Sequence, residues 1–230
     1  MSIWSDIREL FFPRYCVICG KRLSVNEECL CVKCLSSLPR TMMHRKKDNE
    51  VEKNFWGRFP IEKASAFLYY AKGGDVRKLL YDLKYYGGWR TGIFMGKCMA
   101  AELSSSSFFE GVDAIIPIPL HPKRLRKRGY NQSEMLAEGI STVTGIPVWT
   151  DVLERNQFTE TQTHKNQYER WMNVSEVFVC TNSQKLGRKH ILIVDDVLTT
   201  GATLIACADV LKEVPDLKIS VLTLALAGES

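Results

Sequence analysis

A chain of 230 residues with 45% hydrophobic and 25% charged side chains has the makeup of a folded globular protein with a sizeable core. No apolar run approaches the roughly 18 residues that a membrane span requires, which excludes the spanning class. The net charge of +5 is modest and local. Lys123, Arg124, Arg126, Lys127 and Arg128 fall within six consecutive positions without an acid, a concentrated cationic loop rather than the spread-out charge of a general nucleic-acid binder.

Taken in chain order, the first element is a short amphipathic helix. Ile3, Trp4, Ile7, Leu10 and Phe11 recur at helical spacing and are interrupted by Asp6, Arg8 and Glu9. A secretory signal would carry an unbroken apolar core and a small-residue cleavage site. Neither is present, so the sequence reads as cytoplasmic. Next, Cys16, Cys19, Cys29, Cys31 and Cys34 crowd into one stretch. Without a secretion signal, clustered cysteines point to metal rather than to disulfides. Cys16-Val-Ile-Cys19 and Cys31-Val-Lys-Cys34 form two C-x-x-C pairs, the spacing of a tetrahedral zinc site with thiolate ligands. Cys29 competes for a place, but Cys31 makes the second pair. Filling all four positions makes the zinc structural, and Gly20 allows the tight turn of a knuckle. Cys98, Cys180 and Cys207 read as buried thiols.

Residues 41–60 are polar and charged, with a basic stretch at His44–Lys47, and read as a linker or exposed connection. It separates an N-terminal unit of helix and cysteines (1–40) from a larger domain (61–230). In that domain, strands are expected at Ala64–Tyr70, Asp113–Ile118, His190–Val194 and Lys218–Ala225, with a brief extended piece at Val148. Helices are expected at Val76–Tyr86, Ile93–Leu103, Ser133–Val143 (capped by Asn131 or Ser133) and Thr203–Val214. Strands alternating with helices predict an α/β fold with a mainly parallel sheet flanked by helices. Ligands of such sheets bind beyond the carboxyl ends of the strands.

The segment most informative about chemistry is Ile191–Leu204, ILIVDDVLTTGATL. A fully apolar run, as in a strand buried on both faces, ends in Asp195-Asp196. Thr199, Thr200, Gly201, Ala202 and Thr203 then lead into an apolar helix. A loop entering a helix offers free N–H groups and a positive dipole end, together an anion site. Gly201 lets the backbone come close to the anion. The threonines can add hydroxyl donors, and the carboxylates can accept from vicinal sugar hydroxyls. One phosphate and one diol a sugar's width apart describe a ribose 5-phosphate. A capped helix after a buried strand is the plainer reading; the combination of strand, paired acids and Thr/Gly turn favours the ligand.

A second block follows the strand at Asp113–Ile118. Pro117-Ile118-Pro119 imposes a stiff turn, after which come Leu120, His121, the five cations and Gly129. Such cations could stabilise negative charge beside them. A solvated basic surface loop is the alternative. Arg77 and Lys84 lie seven positions apart on one helical face, and either could reach a phosphate.

Ile191–Leu204 closely resembles the phosphoribosyl diphosphate motif of type I phosphoribosyltransferases. Along most of the chain the sequence resembles the ComF/GntX family of competence-protein-F-like phosphoribosyltransferases. The blocks that carry this are the cysteine cluster, Asp75–Gly87, Ile116–Ala137, Thr161–Asn173 and the motif itself. The resemblance implies a type I phosphoribosyltransferase fold with an N-terminal zinc finger of four cysteines. It implies that Ile118, Pro119, Leu120 and His121 form a diphosphate-binding loop, and that Lys123–Asn131 is a mobile hood carrying Lys123 and Arg128 over the reaction. It matches Lys84 to the family pattern, and phosphoribosyl diphosphate would bind with Mg²⁺, through Asp195, Asp196 and the Thr199–Thr203 loop. Gln162 and Arg170 match the third block without a role that spacing can assign; His164 there reads as structural.

Two functions follow as expectations. One is phosphoribosyl transfer to an unidentified acceptor. The other is a non-catalytic accessory role in uptake of single-stranded DNA beside a helicase partner, with the zinc unit and His44–Lys47 as contact surface. The sequence shows no alternation of aromatic and basic residues strong enough to mark a base-stacking groove. Glutamine-dependent amidotransfer is not expected, because residue 2 is Ser and the chain has no room for a glutaminase domain.

Overall fold

The computed structural model describes residues 13–155 and 178–228. The expected N-terminal helix at 3–11, and the 161–173 block with Gln162, His164 and Arg170, lie outside the described residues. The centre of the molecule is a four-stranded parallel sheet. Its strands are β1 (Lys63–Tyr70), β2 (Ala114–Pro117), β5 (His190–Leu198) and β6 (Lys218–Ala227), in the spatial order β1-β6-β5-β2. Val148 lies parallel to β2 and bridges Ile115, as the extended piece expected there. A separate antiparallel pair joins β3 (Leu153–Arg155) and β4 (Phe178–Cys180).

The helices are α1 (Val32–Ser36), α2 (Glu50–Lys53), α3 (Asp75–Tyr85), α4 (Trp89–Leu103), α5 (Pro122–Arg128), α6 (Gln132–Thr144) and α7 (Ala202–Asp209). Both sheet faces are covered, which is why the central strands carry apolar side chains on both sides. Leu192 and Val194 of β5 point into a core with α3, α4 and α6. Ile191 and Ile193 point the other way, towards α7 and the 43–59 segment. This is the α/β arrangement expected from the sequence, a parallel sheet flanked by helices.

α4 and α6 touch through glycines. A Cβ on Gly139 would stand 2.2 Å from the Ile93 carbonyl oxygen, and one on Gly96 2.2 Å from that of Leu136. Only residues without a side chain permit this approach, which fixes the N-terminus of α6 at the carboxyl edge of the sheet.

Three expectations change. Residues 41–60 connect the two parts but are not an exposed linker. Met43, Val51, Phe55 and Phe59 are buried in the α7-side core. Asn49 caps α2 in a capping box and donates to the Ala64 carbonyl at 2.9 Å. The apolar residues are too widely spaced to stand out among the charges, yet each finds the core. Second, the strand expected to end at Val194 continues to Leu198, because Asp195, Val197 and Leu198 keep their ladder partners on β6. The two acids therefore lie in the strand rather than in a loop after it. Third, α7 ends at Asp209 instead of Val214; tighter turns carry the chain on to Pro215.

Candidate functional site

At the carboxyl edge of the sheet lies a cleft of about 800 Å³. Its floor is the end of β5 and its walls come from α3, α5 and the start of α6. Arg77, Lys84, Arg124, Lys127, Arg128 and Arg155 line it, together with Asp195 and Asp196. The sheet ends thus meet the rule for ligand binding in open α/β folds.

The paired acids meet different side chains, although α6 supplies one to each. Asp196 turns to the α3 and α6 side. Its Oδ2 lies 2.9 Å from Lys84 Nζ and accepts from Gln132 Nε2 at 3.2 Å. Gln132 Oε1 in turn accepts from the Arg128 guanidinium. Asp195 accepts from Ser133 Oγ at 3.0 Å and from the Asp196 backbone N–H at 2.8 Å, both on Oδ1. Burial, and then the neighbouring Asp196 carboxylate, push the Asp195 carboxyl up to about 7. Buried charges of one sign are costly unless paired, and breaking one partner costs several kcal/mol. Lys84, Gln132 and Ser133 meet that cost here.

The supporting block is Gly129–Ser133. Asn131 caps α6 by accepting from Ser133 N–H, and its Nδ2 donates to the Ile118 carbonyl at 2.9 Å. Tyr130 donates its hydroxyl proton to the Leu83 carbonyl at 2.7 Å. This block thereby ties the Pro117–Pro119 turn, α3 and α6 to the acids. Of the two caps weighed from sequence, Asn131 serves, and Ser133 is left to bind Asp195.

The basic segment differs from the loop expected there: Pro122–Arg128 is a helix. Pro122 sits in its first turn, and His121 caps it, Nδ1 accepting from Lys123 N–H at 3.1 Å. Arg126, Lys127 and Arg128 occupy the last turn, and Gly129 ends it at φ 84°. Each of these features favours a helix. Helical spacing then sorts the cations: Arg124, Lys127 and Arg128 line the cleft, while Lys123 and Arg126 do not. Ile118, Pro119 and Leu120 line it, and His121 stands behind them as the cap. Thr199 and Thr203 reach the cleft, with Thr200, Gly201 and Ala202 between them at the start of α7, where Gly201 takes φ 75°.

Sequence reasoning named Arg124 and Lys127 only within the basic run, and passed over Gln132, Ser133 and Arg155 as site residues. The first two were visible only as charge, and the helix phase picks them out. Gln132 and Ser133 follow an N-cap asparagine, where a first-turn polar residue has free reach. For Arg155, on a short strand far along the chain, no sequence signal pointed to the cleft.

A second site lies in the cysteine segment. The sulfurs of Cys16, Cys19, Cys31 and Cys34 fall within 4.8 Å of one another, and Cys19 and Cys31 are 3.8 Å apart. Thiolates at about 2.3 Å from a zinc stand roughly 3.8 Å apart in a tetrahedron, so this group could hold zinc. Gly20, at φ 69°, donates its N–H to the Cys16 carbonyl at 2.8 Å and closes the first knuckle. Cys29 is buried outside the group. Ile18, Leu23, Leu30 and Leu38 share a core with α3 and α4, and Lys78 Nζ bonds the Ile18 carbonyl at 3.0 Å. No helix among the described residues is long and apolar enough to cross a membrane.

Residues 126–230 match the family model described as phosphoribosyl transferase domain. Competence protein F of Haemophilus influenzae is 33% identical over 116 residues, spanning 50% of this chain and 51% of that protein. The DNA utilization protein YhgH of Escherichia coli K12 is 25% identical over 199 residues, spanning 85% and 83%. The chain thus spans about half the length of the first relative and most of the second. A glutamine phosphoribosylpyrophosphate amidotransferase from B. subtilis superposes with a TM-score of 0.41 at 22% identity, over 57% of this chain and 25% of that one. With its parallel sheet and the relatives it matches, this chain belongs to the competence protein F family of phosphoribosyltransferase-like proteins.

Proposed function

We propose that the cleft binds phosphoribosyl diphosphate together with Mg²⁺, and that the protein transfers the phosphoribosyl group to an acceptor. The observation that carries this reading is Asp195 and Asp196 at the carboxyl end of β5, lining one cleft together with Arg124, Lys127 and Arg128. The ribose diol would donate to the two carboxylates. The 5-phosphate would meet the turn at Thr199, Thr200, Gly201, Ala202 and Thr203, where N–H groups at the start of α7 and the threonine hydroxyls are donors. The diphosphate would lie against Ile118–His121 and the cations of α5, with Lys84 and Arg77 of α3 lining the same cleft.

The reaction needs no protein nucleophile. Cations placed where diphosphate charge develops stabilise the departing group, and a walled cleft limits water. Mg²⁺ suits the oxygen-rich donor set, since it draws most ligands from substrate oxygens and few from protein carboxylates. When bound, it would neutralise diphosphate charge. Zn²⁺ would be held by Cys16, Cys19, Cys31 and Cys34, where it supplies folding energy rather than chemistry.

Incubation with phosphoribosyl diphosphate, Mg²⁺ and a panel of bases and amines tests transfer. Acceptor-dependent release of diphosphate is the expected result; failure of every acceptor in the panel to release it would remove the catalytic reading. A second reading is a phosphoribosyl-binding accessory in single-stranded DNA uptake, beside a helicase partner. It is favoured by the names of the relatives, a competence protein and DNA utilization proteins. Salt-dependent binding of single-stranded DNA, without transfer to any acceptor, is what that reading expects.

A further inference from the structure

The amino edge of the sheet, away from the cleft, carries a second large hollow. It measures about 1100 Å³, and the start of β1 at Lys63 and Ala64 walls it together with the 43–62 segment. Arg45, Lys46, Lys47 and Arg58 line it and are exposed. Among the described residues, the side chains of Lys46, Lys47 and Arg58 have no ion pair or hydrogen bond, and that of Arg45 bonds only His44, at 3.4 Å. The acids of the lining are mostly engaged. Glu52 accepts from the backbone N–H groups of Asn49 and Ala64, and Glu62 holds Lys218 at 3.4 Å. Asp48 remains, exposed at the end of the basic run. This run is anchored. The buried Asn49 side chain donates to the Lys46 carbonyl at 3.1 Å and to that of Ala64 at 2.9 Å. Met42 and Asp48 bracket the run at φ 56° and 54°, where residues other than glycine are uncommon. Strained backbone of this kind persists where its surroundings enforce it, and it gathers at ligand sites; a merely solvated charge run needs no such anchoring. The hollow also has one exposed ring. Trp56 is 57% exposed, whereas Phe59 and Phe108 are buried. Lys53 lies 5.9 Å from the Trp56 ring centroid but does not line the hollow, so the part of the ring that does is not under that cation.

We propose that this hollow binds a free nucleoside polyphosphate, its base on Trp56 and its phosphates on Arg45, Lys46, Lys47 and Arg58. The proposal does not rest on the donor reading, because the hollow and the cleft share no lining residue. Cations that lack carboxylate partners and crowd one wall repel one another until an anion joins them. Adjacent phosphates on a single base match this pattern of several cations beside one ring. A single strand matches it less well: it carries one charge per nucleotide and binds along a groove whose rings take successive bases, and this hollow offers one exposed ring. A flat base gains dispersion and quadrupole contact from the indole face. The volume is ample for a nucleotide, since small-molecule sites run to roughly 1,000 Å³.

Calorimetry on the full chain with ATP, adenosine, inorganic triphosphate and a single-stranded adenine oligonucleotide of about ten nucleotides tests this. ATP binds more tightly than adenosine or triphosphate, by about tenfold or more. Trp56→Ala weakens ATP by about tenfold and leaves triphosphate unchanged, and Trp56→Phe keeps ATP within about threefold. Lys46→Ala combined with Lys47→Ala weakens both ATP and triphosphate by about tenfold or more. These side chains are exposed, so an unchanged melting temperature confirms that the variants fold. Arg124→Ala, in the cleft, leaves ATP binding unchanged. Absent ATP binding in the wild type, or equal binding in the Trp56 and lysine variants, overturns the proposal. So does loss of ATP in Arg124→Ala alone, which puts the nucleotide in the cleft. Triphosphate or adenosine binding as tightly as ATP removes the base or the phosphates from the site, and an oligonucleotide binding more tightly than ATP makes the hollow a strand surface; each of these also overturns it.

Discussion

The two sites of this molecule are built in opposite ways. The cysteine group is closed: four sulfurs from one short stretch converge on a single point, with its apolar neighbours locked into the α3 and α4 core. The cleft is open: its side chains come from β5, α3, α5 and α6, and its charges hold one another while leaving a space of about 800 Å³. The closed group suits a ligand that becomes part of the fold. The open one suits a ligand that comes and goes. Removing a cysteine should therefore be a folding event, and removing a cleft residue a binding event.

The largest expected effect is at the cysteines. Cys31→Ser should abolish stoichiometric zinc, read by elemental analysis, and strongly lower the melting temperature, because structural zinc contributes on the order of 10 kcal/mol to folding. Cys29→Ser should keep the metal. A Cys31 variant with full metal content and unchanged melting would erase the contrast between the two sites.

An intermediate effect is expected where packing positions the cleft. Gly139→Ala drives a methyl into the Ile93 carbonyl, so stability should fall by about 1–3 kcal/mol in denaturant unfolding. Because α6 carries Gln132 and Ser133, this variant should also loosen the hold on the acids. An alanine there without cost would mean that the close approach of α4 and α6 is not needed to shape the site.

The smallest effect is a slope with pH. The Asp195 carboxyl lies at about 7 against an ordinary value of 3.8, so the folded chain holds a proton that the unfolded chain has lost. Its contribution to stability is fully present below about pH 4 and is lost as the pH rises through about 7. Asp195→Asn should flatten that decline in thermal unfolding between those limits. An unchanged slope would mean that Asp195 is ionised throughout, like an exposed acid.

The same contrast explains what could be read in the sequence. The four clustered cysteines are local, and two C-x-x-C pairs with Gly20 describe their grouping without knowledge of the fold. The β5 motif is also local, and Asp195, Asp196 and the turn at Gly201 were legible from an apolar run followed by acids and a Thr/Gly turn. The rest of the cleft is assembled across distance. Lys123 and Arg124 are indistinguishable as sequence, and only the phase of α5 puts Arg124 in the cleft. Gln132 and Ser133 bind acids more than 60 positions away, a relation set by how Gly96 and Gly139 let α6 approach α4.

The central claim is that Asp195 and Asp196 form a donor site for phosphoribosyl diphosphate. Calorimetric titration of the wild type, Asp195→Ala and Asp196→Ala with phosphoribosyl diphosphate and Mg²⁺ tests it most directly. Saturable binding by the wild type, weakened by about tenfold or more in each variant as hydrogen bonds to charged groups are lost, is the predicted result. Equal binding by all three proteins would contradict it.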